Sequence, residues 1–364
     1  MVAAASEHGV AVKMVTGDNV AIAKQIAGKL GLGTNILNAD TLSTKSSPDD
    51  AEAITDAIDA ADGFAQVFPE HKFAIVKKLQ ARGYVVGMTG DGVNDSPALK
   101  QADVGIAVSG ATDAARAAAD LVLTAPGLSV IIHAIEESRR IFVRMNSYAI
   151  YRISETIRIM FFVVLSMLVF NFYPITAVII ILLAFLNDVP IMMIAYDRTP
   201  HAERPVRWNM HQVISVATAM GIVGIIGSFG MLLVAMEWLH LDVPQIQTYV
   251  FLKMAVAGHL VLFVARTKGH FWERPFPAPI LVWAAVITQT ISTLLAAFGI
   301  GLLTPISWPE IALIWGYAIG SAFVTDVVKV HVYRHLNRET RRHRSFLSSI
   351  KQPLHAHHLQ PERK

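Results

Sequence analysis

Gly83-Tyr84-Val85-Val86-Gly87-Met88-Thr89-Gly90-Asp91-Gly92-Val93-Asn94-Asp95-Ser96-Pro97-Ala98-Leu99 is the stretch from which the fold of this chain is read. Val85, Val86 and Met88 form the pattern of a short buried strand. The chain then turns through two glycines that carry Asp91, Asn94 and Asp95. Pro97 falls where the first turn of a helix accepts proline, because an N–H there has no helical partner. Open α/β sheets bind ligands just beyond the carboxyl ends of their strands, and these carboxylates stand at such a place. Two aspartates four residues apart on a tight loop suit Mg2+, a hard cation that takes oxygen ligands and keeps some waters.

On both sides of this loop, short β-branched runs alternate with helical stretches. Val10 to Val15 reads as a strand ending at Thr16-Gly17-Asp18-Asn19. Val20 to Leu30 reads as a helix closed by Gly31 and Gly33. A polar loop, Thr41 to Asp50, leads to a helix over Asp49 to Ala61. Phe64 to Phe68 is a strand, and Pro69 to Arg82 a helix. Val104 to Val108 and Leu121 to Leu123 are further strands. Strands alternating with helices imply a parallel sheet with helices on its faces.

The composition excludes an ordinary soluble protein. Of 364 residues, 53% are hydrophobic, and the mean hydropathy is +0.46. Without cysteine, disulfides and thiolate metal sites are ruled out. Met1 to His8 lacks the pattern of a signal peptide, and no solenoid repeat is evident. After Ala134 six apolar runs appear, each near the 20 residues that a helix needs to cross a bilayer. They are Ser147–Phe170, Pro174–Tyr196, Val213–Met236, Tyr249–Val264, Pro279–Leu303 and Trp308–Val332. The first is preceded by, and begins with, charge (Arg144, Arg152, Glu155, Arg158), so it reads as one long helix that turns fully apolar only after Ile159.

Charge in the loops gives the orientation. Arg198, Arg204 and Arg207 follow the second span, Arg266, Lys268 and Arg274 the fourth, and a basic tail from Arg334 to Lys364 the sixth. Asn171–Tyr173, Glu237–Gln247 and Thr304–Ser307 contain no Lys or Arg. The positive-inside rule then puts both termini in the cytoplasm. The expected organisation is an α/β domain over residues 1–134, a stalk and six-helix membrane bundle over 135–333, and a tail over 334–364. The tail suits a solvated segment, contact with anionic lipid or a regulatory role.

The chemistry of the first part fits phosphate and magnesium. Thr16, at a strand end, offers a hydroxyl and adjacent amides to phosphoryl oxygens. Lys72, near a helix start, offers a cation, although a solvated lysine there is common. Asp91 and Asp95 offer the metal site. Phosphoryl transfer uses such a set because its catalysis is mostly positioning and charge stabilisation. In the membrane part, Asp188 lies in a nearly apolar run, and an ionisable group inside a span is usually functional. Pro190 just after it frees a helical carbonyl. Glu155, one turn before Arg158, is a structural partner for it. His259 reads as a packing residue, and Asp326 with Lys329 as an i,i+3 pair.

Met14-Val15-Thr16-Gly17-Asp18-Asn19, Val67-Phe68-Pro69-Glu70-His71-Lys72, Thr89-Gly90-Asp91-Gly92-Val93-Asn94-Asp95 and Ala111-Thr112-Asp113-Ala114-Ala115-Arg116 resemble the motifs of P-type ATPases. So do Leu186-Asn187-Asp188, Phe263-Val264-Ala265-Arg266 with Glu273-Arg274-Pro275, and Asp326-Val327-Val328-Lys329. The likeness covers nearly all of residues 1–333 and is nearest to the plasma-membrane proton pumps. It implies a partial haloacid-dehalogenase-like, Rossmann-type phosphorylation domain followed by the six-helix bundle, with Mg2+ as cofactor and ATP as substrate. Thr16, with Gly17 and Asp18 of its motif, and Lys72 would face a phosphoryl group held on a catalytic aspartate. Asp91 would bind Mg2+, with Asn94 and Asp95 completing the loop. Asp188, beside Asn187, would accept the transported proton, and Arg158 would be its positive partner. Ser96 stands where the family leads one to expect alanine.

The family's phosphorylated aspartate lies in Asp-Lys-Thr-Gly-Thr, a string this sequence lacks. Its nucleotide-binding and actuator domains and first four membrane helices have no counterpart here either. The resemblance therefore implies the C-terminal part of a plasma-membrane pump, inactive alone, with the N-terminal part, lipid and a cation, most simply H+, as partners and no nucleic acid. A pump for another cation and a non-catalytic truncated or accessory membrane protein are the alternatives. A soluble phosphatase of the same superfamily conflicts with six spans.

Overall fold

A computed structural model describes residues 2–42, 48–127, 129–200 and 208–350. Arg204, Arg207 and the tail beyond residue 350, like part of the expected loop Thr41–Asp50, lie outside the described residues. The chain divides into two compact units at Arg139/Arg140.

The first unit contains helix α1 (Val2–Glu7), strand β1 (Met14–Val15), α2 (Val20–Leu30), β2 (Ile36–Asn38), α3 (Pro48–Ala60), β3 (Gly63–Ala65) and α4 (Pro69–Ala81). It continues with β4 (Gly87–Gly90), α5 (Ser96–Gln101), β5 (Val104–Ala107), α6 (Asp113–Ala118) and β6 (Leu121–Val122). Local chemistry sets the boundaries. The Asn19 side chain accepts from Ile22 N at 3.0 Å to start α2, and Gly31, at φ +74°, ends it in the left-handed region that suits glycine. Pro69 opens α4, and the Thr112 hydroxyl caps α6.

The strands form two parallel three-stranded sheets, ordered β1-β3-β2 and β4-β5-β6. Met14 pairs with Gly63, and Gly87 with Val104. Among the described residues, β1 and β4 each pair on one side only. β2 is a strand the sequence pattern does not reveal, because Ile36 and Leu37 are too short a run to show a period. β3 ends earlier than expected, since Gln66 turns the chain at φ +52°.

The expected buried strand at Val85–Met88 needs correction. The ladder runs two residues later, and Val85 is 76% exposed. The cause is local. Val86 N binds the Asp103 carboxylate at 2.8 Å, and its carbonyl accepts from Asp103 and Val104 N–H, so pairing with β5 begins only at Gly87. An edge strand without a partner sheet then leaves Val85 uncovered.

Among the described residues, six helices long and apolar enough to cross a membrane follow: α7 (Ser129–Phe170), α8 (Ala177–Met192), α9 (Met210–Leu233), α10 (Val243–Ala265), α11 (Pro279–Phe298) and α12 (Trp308–Ile350). Short 3-10 and π turns extend α8 to Tyr196 and α9 to Trp238. Helix α10 is the axis of the bundle, packed against α8, α9, α11 and α12. Its apolar stretch is 89% buried, against 28% to 39% for the other five. Tyr249, Phe251, Leu252 and Met254 on α10 join Phe162, Leu183 and Ile314 in one apolar core. Val261, Leu262 and Ala265 join Ile150, Val216 and Tyr333 in a second.

Buried polar clamps tie the helix ends. Asp197 receives Arg266 Nε at 2.5 Å and Ala278 N at 2.9 Å, while its carbonyl accepts from Arg144. Asp326 receives Phe271 N at 3.1 Å and Lys329 Nζ at 2.9 Å, and its Oδ2 lies 2.6 Å from His270 Nδ1. His259 bonds Ala255 O and Thr288 Oγ1, both at 2.7 Å, and packs between helices.

Candidate functional site

In the first unit, the loop after β4 is built around Asp95. Gly90 makes room for it: a Cβ on Gly90 would lie 2.6 Å from Asp95 Cβ. Asp95 is buried, and its Oδ1 lies 2.5 Å from Lys72 Nζ on the first turn of α4. Its Oδ2 accepts from Asp91 N at 3.2 Å. Burial opposes the charged form of Asp95. The Lys72 ammonium and the N–H groups of Asp91 and Gly92 outweigh that cost, so the carboxyl titrates below its ordinary range.

This arrangement refines the expected metal pair. The Asp95 carboxylate is engaged by Lys72 and the backbone, one bond on each oxygen. Asp91 and Asn94 are exposed at the loop surface. The Asp91 carbonyl accepts from Thr112 N at 2.9 Å, which fixes the loop against the start of α6 and leaves the carboxylate outward. Among the described residues no three His, Cys, Asp or Glu side chains converge as a metal cage. One exposed carboxylate on a fixed loop nevertheless fits Mg2+, which is commonly held by one or two carboxylates plus waters and substrate phosphates.

Thr16, Gly17 and Asp18 follow β1. Thr16 Oγ1 donates to Asp18 Oδ2 at 2.8 Å and accepts from Asp18 N at 3.2 Å. Val67 N bonds the Thr16 carbonyl and Gln66 N that of Asp18, so the β3–α4 turn supports the loop from below. The structure thus joins Lys72, Asp95 and Asp91 in one cluster, and Thr16 with Asp18 in another, both at carboxyl ends of parallel strands.

In the second unit, Asp188 does not meet Arg158. Its Oδ1 lies 3.1 Å from Arg152 Nη1, and both side chains are half-exposed. Arg158 is buried, pairs with Glu155 one turn back, and donates to Met254 O at 3.2 Å. Asn187 is buried, and its Oδ1 has no partner. In place of the expected Asp188–Arg158 pair, α7 offers Arg152 to Asp188 and pairs Arg158 with its own Glu155. Arg152 and Arg158 lie nearly two turns apart, and only Arg152 faces Asp188. Lys253, missed by motif reading, is also buried in this region, with Nζ 2.6 Å from Ser228 Oγ. A lone lysine in the apolar run Tyr249–Val264 was the signal for it.

A model of haloacid dehalogenase-like hydrolases matches residues 1–103. The chain is 50% identical over 332 residues to a protein of Methanocaldococcus jannaschii named as a cation-transporting ATPase; the match covers 91% of this chain and 41% of that one. Identity to a protein of Leishmania donovani named as a proton ATPase is 41%, covering 89% of this chain and 38% of the relative. It is 43% to a plasma membrane ATPase of Schizosaccharomyces pombe, covering 80% and 29%. The chain thus spans well under half the length of each of these relatives.

Proposed function

Because the chain is a homologue of the P-type ATPases over most of its length, we propose that it supplies part of the phosphorylation domain and the last six membrane helices of an ATP-driven pump that exports protons. The observation that carries this reading is the Lys72–Asp95–Asp91 cluster at the end of a strand, β4, whose outer edge is open. P-type ATPases and haloacid dehalogenase-like hydrolases use Mg2+ in general. Asp91 would hold the ion here, and the ion would neutralise phosphoryl oxygens in transfer.

The chain's own residues then have distinct tasks. Asp95 orients Lys72, whose remaining N–H bonds are free to meet a phosphoryl oxygen. The Thr16 hydroxyl, now turned to Asp18, and the N–H groups of its loop offer further donors. The aspartate that accepts phosphate would come from the part of the relatives that this chain does not span, inserted as a strand on the open edges of β1 and β4. Pairing along such edges needs no side-chain specificity.

In the membrane unit, Asp188 would take the proton and Arg152 would compete for its charge. Neutralising a carboxylate suits a proton. A metal cation would need several oxygens at one point, and Asp188 is already engaged by a cation. The six apolar helices and these relatives mark a multi-pass membrane protein. Basic loops would place both termini in the cytoplasm, and the relatives' plasma-membrane setting would carry over.

The test is to produce residues 1–364 with and without the N-terminal part of a relative in lipid vesicles. Mg2+-dependent, vanadate-sensitive ATP hydrolysis and acidification only with both parts would support the reading. ATP turnover by the 364-residue chain alone, or turnover by both without acidification, would overturn it.

A further inference from the structure

The membrane unit buries two side-chain cations beside one carboxylate. Arg158 is 2% exposed and Lys253 1%. Arg158 pairs with Glu155, yet its Nε and Nη1, and Glu155 Oε1, have no partner. Lys253 Nζ meets Ser228 Oγ on α9. Arg158 and Lys253 both line a cavity of about 10 Å3, together with Gly224, Ser321 and Thr325. That is room for about one water.

The charged groups that bear on Lys253 are Glu155 and Arg158, both on α7. From α9 it meets the Ser228 hydroxyl, and from α12 the cavity receives Ser321 and Thr325. Asp326, further along α12, is taken by His270 and Lys329. Along α10 itself, His259 is held by Ala255 and Thr288. The cluster therefore sets two cations against one anion in a buried site, where unmatched charge is costly. Arginine does not release its proton in proteins, whereas an amine can.

We propose that Lys253 is a second proton-binding group of the membrane unit, loaded and unloaded through the water of this cavity. In the loading step a hydronium O–H bond breaks and an N–H bond forms on the amine, leaving neutral water and an ammonium. Unloading is the reverse. Ser228 Oγ donates to Gly224 O at 2.8 Å and accepts an N–H from Lys253 Nζ, which the amine and the ammonium both carry, so its bond survives both states. The transport role rests on the proton-pump reading above; the proton binding itself does not.

Two measurements test this. Only Lys13 and Lys253 are followed by methionine, so labelling with 13C,15N-lysine and 15N-methionine assigns Lys253 by NMR in the unaltered 364-residue chain in nanodiscs. Its side chain should change between amine and ammonium forms as pH is varied across the range in which the chain stays folded. Ammonium throughout would overturn the proposal. In the two-part pump, Lys253→Arg, which keeps the charge but cannot unload it, and Lys253→Gln should lower protons moved per ATP by about half. Wild-type stoichiometry in Lys253→Arg would overturn the transport role. Unaltered protein that moves no protons would sink the pump reading, with the NMR titration still deciding Lys253. If the variants fail to fold, the unaltered chain decides.

Discussion

Lys72 Nζ stands 2.5 Å from Asp95 Oδ1 across 23 residues of chain, and this pair holds the start of α4 against the loop after β4. Asp95 is buried and Lys72 about one-fifth exposed. Lys72→Met would leave a buried carboxylate with backbone donors alone. The expected loss is about 1–2 kcal/mol, less than for a fully buried pair because water reaches Lys72. Thermal unfolding of Lys72→Met and of Asp95→Asn checks it.

The same pair predicts acid sensitivity. A carboxyl whose folded pKa is depressed contributes stability above its unfolded pKa and loses it as pH falls through the folded value. Asp95 is of this kind. Amide protection in α5 should therefore weaken as pH drops below about 4, the ordinary carboxylate range. Asp95→Asn should flatten that dependence. An unchanged pH profile in the variant would remove Asp95 as its source.

Two neighbours of Asp95 should respond in opposite directions. Gly90→Ala drives a Cβ to 2.6 Å from Asp95 Cβ, and should cost about 1–3 kcal/mol, as overpacking does. Ser96 Oγ is buried without a partner. Ser96→Ala should be neutral or stabilising by up to about 1 kcal/mol. Denaturation midpoints of the two variants separate these effects.

Asp197 binds the buried Arg266 and the start of α11. Asp197→Ala strands the guanidinium and should cost about 3–5 kcal/mol. Arg266→Lys should cost less than Asp197→Ala but more than a surface change, because a lysine cannot also reach the Arg198 and Pro275 carbonyls. Retention of detergent-solubilised protein after heating measures both.

Asp188→Asn in the two-part pump should abolish acidification, a loss of at least about tenfold, while phosphorylation from ATP stays measurable. Arg152→Ala should leave Asp188 without its cation and change the rate of acidification. Acidification at the wild-type rate in Asp188→Asn would remove it from the path.

Much of this was legible in the chain. Six spans, the long α7, and α2 and α4 to within a residue follow from apolar length and from Asn19, Gly31 and Pro69. What was not legible depended on contacts distant in sequence. The strand at Val85 slid to Gly87 because Asp103 claims Val86. Lys72 was ambiguous until α4 placed it at Asp95. The choice between Arg152 and Arg158 for Asp188 turns on how α7 faces α8, which spacing along α7 alone leaves open. Lys253 carries no motif: its signal is a lone lysine in an apolar run, and burial shows its place.

The burial of α10 bears on how the chain enters a membrane. On insertion scales a lysine at a helix centre costs about 3 kcal/mol, and Lys253 sits in the middle of a segment that also carries His259. Inside the bundle, Ser228 of α9 and Thr288 of α11 meet these groups; facing lipid by itself, α10 would have neither. Four helices surround it, and α11 and α12 are synthesised after it. Its integration should therefore be late and cooperative, held at the translocon or by an insertase until the following helices emerge, so that truncation after α10 would be a biogenesis defect before it was a transport defect.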